Sequence, residues 1–113
     1  VLEAEVERHT RQAQSQHRGS LHTLACVQAE LGDAAEAYRS IVAAVGLSES
    51  GELEGDDWYV IGRLAETYGL PAAARAAYTR VERPTEAYLL PSSTYALAAR
   101  RLAQLDGADR TQQ

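Results

Sequence analysis

A recurrence of 37 residues organises the chain and constrains its fold more than any other sequence feature. Leu21, Trp58 and Tyr95 are spaced by 37 residues, and a small residue follows each of them four positions later. The further matches align without gaps at the same offset: Leu24 with Ile61 and Ala98, Ala25 with Gly62 and Ala99, Gln28 with Ala65 and Leu102, Gly32 with Gly69, Ala37 with Ala74, and Ile41 with Tyr78. Self-similarity at a fixed period of this size is typical of repeat proteins, in which each copy is one supersecondary unit.

Each copy has the pattern of two helices joined by a tight turn. The spacing i, i+3, i+7 places Leu21, Leu24 and Gln28 on one face of a first helix. Gly32 and Gly69 suit the end of such a helix because glycine tolerates a positive φ. We therefore expect the chain to reverse direction at both glycines.

The residues after these glycines are suited to starting a second helix. Asp33 is a candidate N-cap, and Glu36 three residues later completes a capping box in its acidic form. In the second copy Pro71 fits the first turn of a helix, where its missing N–H removes no hydrogen bond. Both copies are therefore predicted to consist of helix, turn and helix.

Small residues at matching positions predict closely packed helix pairs. Ala25 or Gly62 in the first helix, and Ala37 or Ala74 in the second, let the paired backbones approach each other. The same register places Trp58 between the helices, so we expect its side chain in the core rather than at an exposed binding site.

The recurrence divides the chain into four segments. Residues 1–18 are interpreted as an N-terminal helix, or as the second helix of an earlier, truncated repeat, and residues 19–56 as repeat 1 with an acidic linker. Residues 57–91 are repeat 2, and residues 92–113 are a C-terminal capping helix and tail. The acidic residues of the linker lack the alternating Asp and Asn ligands of a calcium loop, which indicates a solvated connection.

The second copy resembles the tetratricopeptide repeat, whose pattern is W-x2-L-G-x2-Y, then A-x3-F, then P. The residues that match it are Trp58, Ile61, Gly62, Ala74 and Tyr78. Ala65 stands where the pattern has Tyr, and Pro84 comes slightly early. The first copy is degenerate, and the third covers a first helix only. The period exceeds the family's length of about 34 residues, which we assign to longer connections between repeats.

The resemblance covers residues 19 to 105 and implies an all-α fold. In that family antiparallel helix pairs stack into a right-handed αα superhelix, a TPR-like solenoid whose first helices line a concave groove. Such grooves commonly hold a peptide or a helix of a partner. The carboxylate-clamp subtype grips its ligand with Lys and Asn, and this chain contains neither. The resemblance therefore implies protein or peptide binding rather than catalysis.

The side of the first helices opposite the packing face supplies the candidate groove contacts. These residues are His22, Cys26, Glu30, Tyr59, Arg63, Glu66 and Arg100. Arg63 and Arg100 occupy equivalent positions, and two guanidinium groups beside Tyr59 would suit a carboxylate or an acidic peptide. The alternative is that both arginines are solvated or paired with Glu30 and Glu66.

Other chemistries find little support in the sequence. His22, Cys26 and Glu30 follow one another at single helical turns, but structural zinc usually takes four ligands. A nucleophilic cysteine needs a positioned base inside a pocket, which one open helix does not provide. The glycines are scattered rather than clustered into a phosphate-binding loop. We therefore predict no metal, no cofactor and no enzymatic activity.

Charge and hydropathy bound the class of partner. A net charge of −5 argues against the neutralisation of nucleic-acid phosphates. No segment approaches the roughly 18 apolar residues of a membrane span, and the N-terminus lacks the pattern of a signal peptide. The chain begins with Val rather than Met, which suggests a segment of a longer protein. Because the single Cys26 requires no oxidising compartment, the cytoplasm is the default expectation.

The predicted function is that of an interaction module in a larger protein, with another protein or a peptide as its partner. The alternative is a structural spacer or a platform for self-association without a peptide ligand, because repeats with uncovered ends gain stability by stacking. A homo-oligomer is compatible with both hypotheses.

Overall fold

A computed structural model of the chain describes residues 2–84 and 93–112, with side chains up to residue 107. The regular structure of this described part is entirely helical: α1 (Leu2–Glu30), α2 (Ala34–Gly46), α3 (Asp57–Thr67), α4 (Pro71–Thr79) and α5 (Thr94–Gln112). The predicted all-α class is confirmed. The chain divides into two compact units, Val1–Leu53 and Glu54–Gln113.

In the first unit, α1 and α2 form a helical hairpin with a glycine turn. Gly32 adopts a φ of 82°. Its N–H donates to the carbonyl of Ala29 (3.1 Å), and the N–H of Asp33 donates to that of Gln28 (2.9 Å). These two bonds form a Schellman motif, which satisfies carbonyls that the end of α1 would otherwise leave unpaired. The chain reversal predicted at Gly32 is confirmed.

The predicted capping box at the start of α2 forms only in half. The Asp33 carboxylate accepts a hydrogen bond from the N–H of Glu36 at 3.3 Å, as expected of an N-cap. The Glu36 carboxylate instead contacts Arg39, one turn further along the exposed surface of α2. The N–H of Asp33 is already bonded to Gln28 in the Schellman motif, so the reciprocal bond is unnecessary.

The core of the first unit is built from small residues, as the sequence predicts. Its buried apolar residues are Ala25, Ala29, Ala34, Ala37, Ile41 and Ala44. Because most of them carry a single methyl group, the backbones of α1 and α2 can approach closely. One polar pair crosses the hairpin: the Ser40 hydroxyl donates to Gln28 Oε1 at 2.7 Å.

Helix α1 is continuous over 29 residues, so the expected boundary between residues 18 and 19 falls inside it. Gly19 does not interrupt the helix, because a glycine in a helix costs only about 1 kcal/mol relative to alanine. Helix α2 has 13 residues and is too short to cover α1 along its whole length. The side chains of residues 2–17 are all exposed.

In the second unit, α3 and α4 repeat the same hairpin. Gly69 adopts a φ of 73°, and its N–H donates to the carbonyl of Glu66 (3.0 Å), while the N–H of Leu70 donates to that of Ala65 (2.8 Å). Each donor and acceptor lies 37 residues after its counterpart in the first hairpin. Pro71 occupies the first turn of α4, as predicted. The recurrence in the sequence is therefore a recurrence of backbone hydrogen bonds.

Two tyrosines fill the interior of the second hairpin. The rings of Tyr59 and Tyr78 lie 5.8 Å apart between centroids, and both side chains are buried with Val60 and Ala74. Trp58, which was expected in the core, is only partly buried. The expectation was wrong because α3 presents the next residue, Tyr59, to the interior. The guanidinium group of Arg80 instead covers the Trp58 ring at 4.5 Å from its centroid, a cation–π arrangement.

Helix α5 packs against both helices of the second hairpin. Its first turn is capped by Ser93, whose hydroxyl oxygen accepts the N–H of Ala96 at 3.1 Å. Thr94 donates to Asp56 at the start of α3 (2.8 Å), and Arg101 contacts Glu66 near the end of α3. These two contacts show that α5 runs parallel to α3. The predicted boundary between residues 91 and 92 lies outside the described residues.

Local hydrogen bonds hold the acidic linker at both of its ends. In the first unit, the Ser48 hydroxyl donates to the carbonyl of Val45 (2.8 Å) and accepts the N–H of Gly51 (2.9 Å). In the second unit, the buried carboxylate of Asp57 accepts the N–H of Glu54 at 2.9 Å. Asp57 thus fixes the entry of the chain into α3.

Candidate interaction surfaces

A carboxylate at the end of α3 gathers the charged groups of the second unit. Arg101 donates to both oxygens of Glu66, from Nε at 2.9 Å and from Nη2. The hydroxyl of Tyr78 donates to the same carboxylate, and Nη1 of Arg63 lies 3.6 Å from it. The bidentate pairing of Arg101 is the strong form of the ion pair. Glu66 therefore joins all three helices of the unit.

The environment of Glu66 shifts the pKa values of Glu66 and Tyr78 in opposite directions. Burial raises the pKa of the Glu66 carboxyl group. The hydrogen bonds from Arg101 and Tyr78 and the positive charges of Arg101 and Arg63 lower the pKa, and together they outweigh the effect of burial. The net effect holds the pKa of Glu66 below its ordinary value. Burial and the bond to Glu66 raise the pKa of Tyr78. Glu66 is thus ionised and Tyr78 neutral at pH 7.

A second set of contacts fixes α5 against α4. Nη2 of Arg75 donates to the carbonyl of Leu105 at 3.3 Å, and its Nε lies 3.5 Å from the carboxylate of Asp106. Asp106 is exposed, so its ion pair is weak. Together with Glu66, Arg75 marks the side of the α3–α4 hairpin that receives α5.

The four candidate groove residues of the second unit, Tyr59, Arg63, Glu66 and Arg100, do not line one common surface. Arg63 and Glu66 are paired. Tyr59 is only 2% exposed, so its assignment to an open groove was wrong: its ring packs on Tyr78 in the hairpin interior. Arg100 is exposed, and the guanidinium group at Glu66 belongs to its neighbour, Arg101. The geometry does not support the predicted acidic-ligand site at Arg63 and Arg100, since Arg63 already faces a carboxylate.

Sequence reasoning missed Arg101 because it carried the 37-residue register onto α5. That register makes Arg100 the counterpart of Arg63. The contact between Glu66 and Arg101 instead joins residues 35 positions apart, whereas Asp56 and Thr94 are 38 positions apart, so the contacts between α3 and α5 follow no single offset. Residues adjacent in a helix point about 100° apart, and the rotation of α5 against α3 decides which of the two arginines faces Glu66. That rotation has no signature in the sequence.

The candidates of the first unit lie on one side of α1. Sγ of Cys26 is 3.6 Å from Nε2 of His22, both residues are partly buried, and Glu30 is exposed. In the described part of the chain, no three His, Cys, Asp or Glu side chains converge as metal ligands do. Two shallow surface depressions lie elsewhere on α1, beside Val6.

The side of the first hairpin equivalent to the α5-binding side carries two exposed apolar residues. Tyr38 is the counterpart of Arg75, and it is 58% exposed; Val42, one turn later in α2, is 51% exposed. On α1 the counterpart of Arg63 is Cys26, which is partly buried. We call the surface formed by Cys26, Tyr38 and Val42 the Tyr38 face.

No protein-family model, curated protein or solved structure matches the chain. Within the described residues, no helix has the length and apolar character needed to cross a membrane.

Proposed function

We propose that the chain is an interaction module built of TPR-like helix pairs, in which a helical segment of another protein binds to the Tyr38 face of the first pair. The two hairpins share the same Schellman turn at an offset of 37 residues. Helix α5 follows the second hairpin as the first helix of a further repeat would, parallel to α3. These features support a chain built of repeated helix pairs.

The main support for a binding role is that one side of the second hairpin binds a helix, α5. That side receives α5 through Glu66 and Arg75. The first hairpin has the same turn, and on the equivalent side it presents Tyr38 and Val42. Exposed aromatic residues are common anchors in protein interfaces. The packing of α5 on the equivalent side of the second hairpin therefore supports a helix as the ligand of the Tyr38 face.

The expected partner is an amphipathic helix with a basic outer side. Tyr38 and Val42 are one helical turn apart, so they would pack between apolar residues spaced i and i+3 or i+4 on the partner. The net charge of −5 favours the approach of a positively charged segment. An acidic peptide is less suited, because Arg63 and Arg101 are engaged by Glu66.

A displayed library of 15-residue amphipathic helical peptides, selected on the purified chain, tests this proposal. Dissociation constants of the enriched peptides would be measured by fluorescence anisotropy with the chain and its variants. We expect Tyr38→Ser and Val42→Ser each to weaken binding about tenfold or more, since central apolar contacts dominate interface energies.

Leu31→Ser is the matched control. Leu31 is another exposed apolar residue of the first unit, but it lies in the turn between α1 and α2 and is not part of the Tyr38 face. Its substitution should change binding by less than about twofold. Failure to enrich any peptide, or enriched peptides that bind the Tyr38→Ser and Val42→Ser variants normally, would contradict the proposal and favour a structural spacer.

A further inference from the structure

The N-terminal half of α1 projects beyond the helix that covers its other half. Helix α1 spans about 43 Å at about 1.5 Å per residue, against about 20 Å for α2. Residues 2–17 have exposed side chains throughout. A single helix of this length is marginally stable in water unless an apolar stripe is covered. The segment therefore stands to gain from a partner helix.

One face of this segment has the composition of a helix–helix seam. Leu2, Val6, Thr10 and Ala13 follow one another at spacings of four, four and three residues, and Leu2 and Val6 are 74% and 57% exposed. Two shallow depressions of about 380 and 350 Å³ lie along this face, lined between them by Leu2, Glu3, Val6, Glu7, Thr10 and Arg11. An apolar strip with charged residues along one border is what a paired helix presents.

The charges along the segment are segregated by sign. The first seven residues carry three acids, Glu3, Glu5 and Glu7, and no base. Residues 8–18 carry three bases, Arg8, Arg11 and Arg18, and no acid. On the border beside the strip, Glu3 and Glu7 precede Arg11. A copy of the same helix laid antiparallel can place Glu7 opposite Arg11 of its partner, whereas a parallel copy in register would place like charges together.

We propose that a second copy of this chain binds here, with the N-terminal halves of the two α1 helices antiparallel. In antiparallel pairs the same border of each helix meets its equivalent across the twofold axis, so Glu7 of each copy faces Arg11 of the other. Val6 of each copy then packs near Ala13 of its partner. The interface is small and charged, and the dimer is correspondingly weak and sensitive to salt. This inference goes beyond the proposed function and uses a different surface.

Charge reversal provides a test with a built-in control. Sedimentation equilibrium of the wild-type chain, from about 10 μM to about 1 mM at low salt, should show a monomer–dimer equilibrium that weakens on addition of about 0.5 M NaCl. Glu7→Arg and Arg11→Glu should each weaken dimerisation about tenfold or more, since each makes both cross-pairs repulsive. Arg39→Glu, an exposed charge reversal on α2, should leave it within about twofold.

Mixing the two variants identifies the contact. A Glu7→Arg chain and an Arg11→Glu chain make two attractive cross-pairs only with each other, so the mixture should recover dimerisation to within about threefold of wild type. If a substitution had weakened dimerisation by unfolding α1 of its own chain, mixing the two variants would not restore the dimer. Recovery on mixing therefore identifies a contact between chains. A wild-type chain that stays monomeric at about 1 mM, or variants that do not associate when mixed, would overturn the proposal.

Discussion

The ring of Tyr78 occupies the space that a β-carbon on Gly62 would need. A methyl group placed there would overlap the near edge of the ring, and Tyr78 is buried, with its hydroxyl bonded to Glu66. The ring therefore cannot swing away without breaking that bond. The contact explains why a residue without a side chain stands in the middle of α3.

Gly62→Ala should destabilise the second unit by about 1–3 kcal/mol, because overpacking outweighs the gain of about 1 kcal/mol in helix propensity. Urea unfolding followed by tryptophan fluorescence measures the free energy of unfolding of this unit, because Trp58 is the single tryptophan of the chain. Gly107→Ala is the control: it also lies in a helix of the unit, and a β-carbon there meets nothing within 4 Å. Equal effects of the two substitutions would contradict the steric argument.

Glu66→Gln should cost about 2 kcal/mol, because it removes the charge that Arg101 and Tyr78 share in a partly buried site. The same Trp58 assay applies. Asp106→Asn breaks an ion pair whose carboxylate is exposed and should cost less than about 0.5 kcal/mol. A loss for Glu66→Gln no larger than that for Asp106→Asn would show that the cluster contributes little to stability.

The stability of the second unit should fall in acid partly through Glu66. Its pKa is lowered on folding from an ordinary value of 4.5, so the folded state binds this proton less readily than the unfolded state does. The stabilisation is complete above pH 4.5 and is lost as the pH falls through the lower, folded value. Wild type and Glu66→Gln should therefore differ by a constant free energy of unfolding above about pH 5.5.

Below pH 4.5 that difference should shrink, and urea titrations between pH 3 and pH 7 would follow it. Asp106→Asn is again the control. Because the Asp106 carboxyl group is exposed, the free energies of unfolding of this variant and of wild type should stay close at every pH. A difference between wild type and Glu66→Gln that does not decrease with acid would mean that the charge of Glu66 is not what stabilises the unit.

Gly69→Ala should cost about 1–2 kcal/mol, since a φ of 73° places an L-residue with a β-carbon in the left-handed region. Gly69→Asn should cost less, because asparagine tolerates this region better than alanine does. Nothing lies within 4 Å of a β-carbon built at this position, so the order of the two variants isolates the backbone effect. Asparagine proving the worse substitute would argue against a conformational origin.

The sequence predicts the parts of this fold that are determined locally. The turns at Gly32 and Gly69, the cap at Asp33 and the position of Pro71 each depend on the chemistry of one or two residues. The rotation of α3 that buries Tyr59 and leaves Trp58 partly exposed depends on how α3 packs against its neighbours. The same holds for the choice of Arg101 over Arg100. Contacts between helices set these features, and a single sequence does not encode them in a readable pattern.

The two Schellman turns have a consequence for finding further copies of this unit in other chains. Their flanking residues are unrelated, Leu31 and Asp33 in one and Tyr68 and Leu70 in the other, while torsion angle and hydrogen bonds coincide. Each glycine follows the first large apolar residue of its copy by 11 positions. A search profile weighted on that glycine and on the buried alanines should find such copies better than one weighted on tryptophan. The reason is that the glycine is shared by both hairpins, whereas Leu21 and Tyr95 stand where the second copy has Trp58.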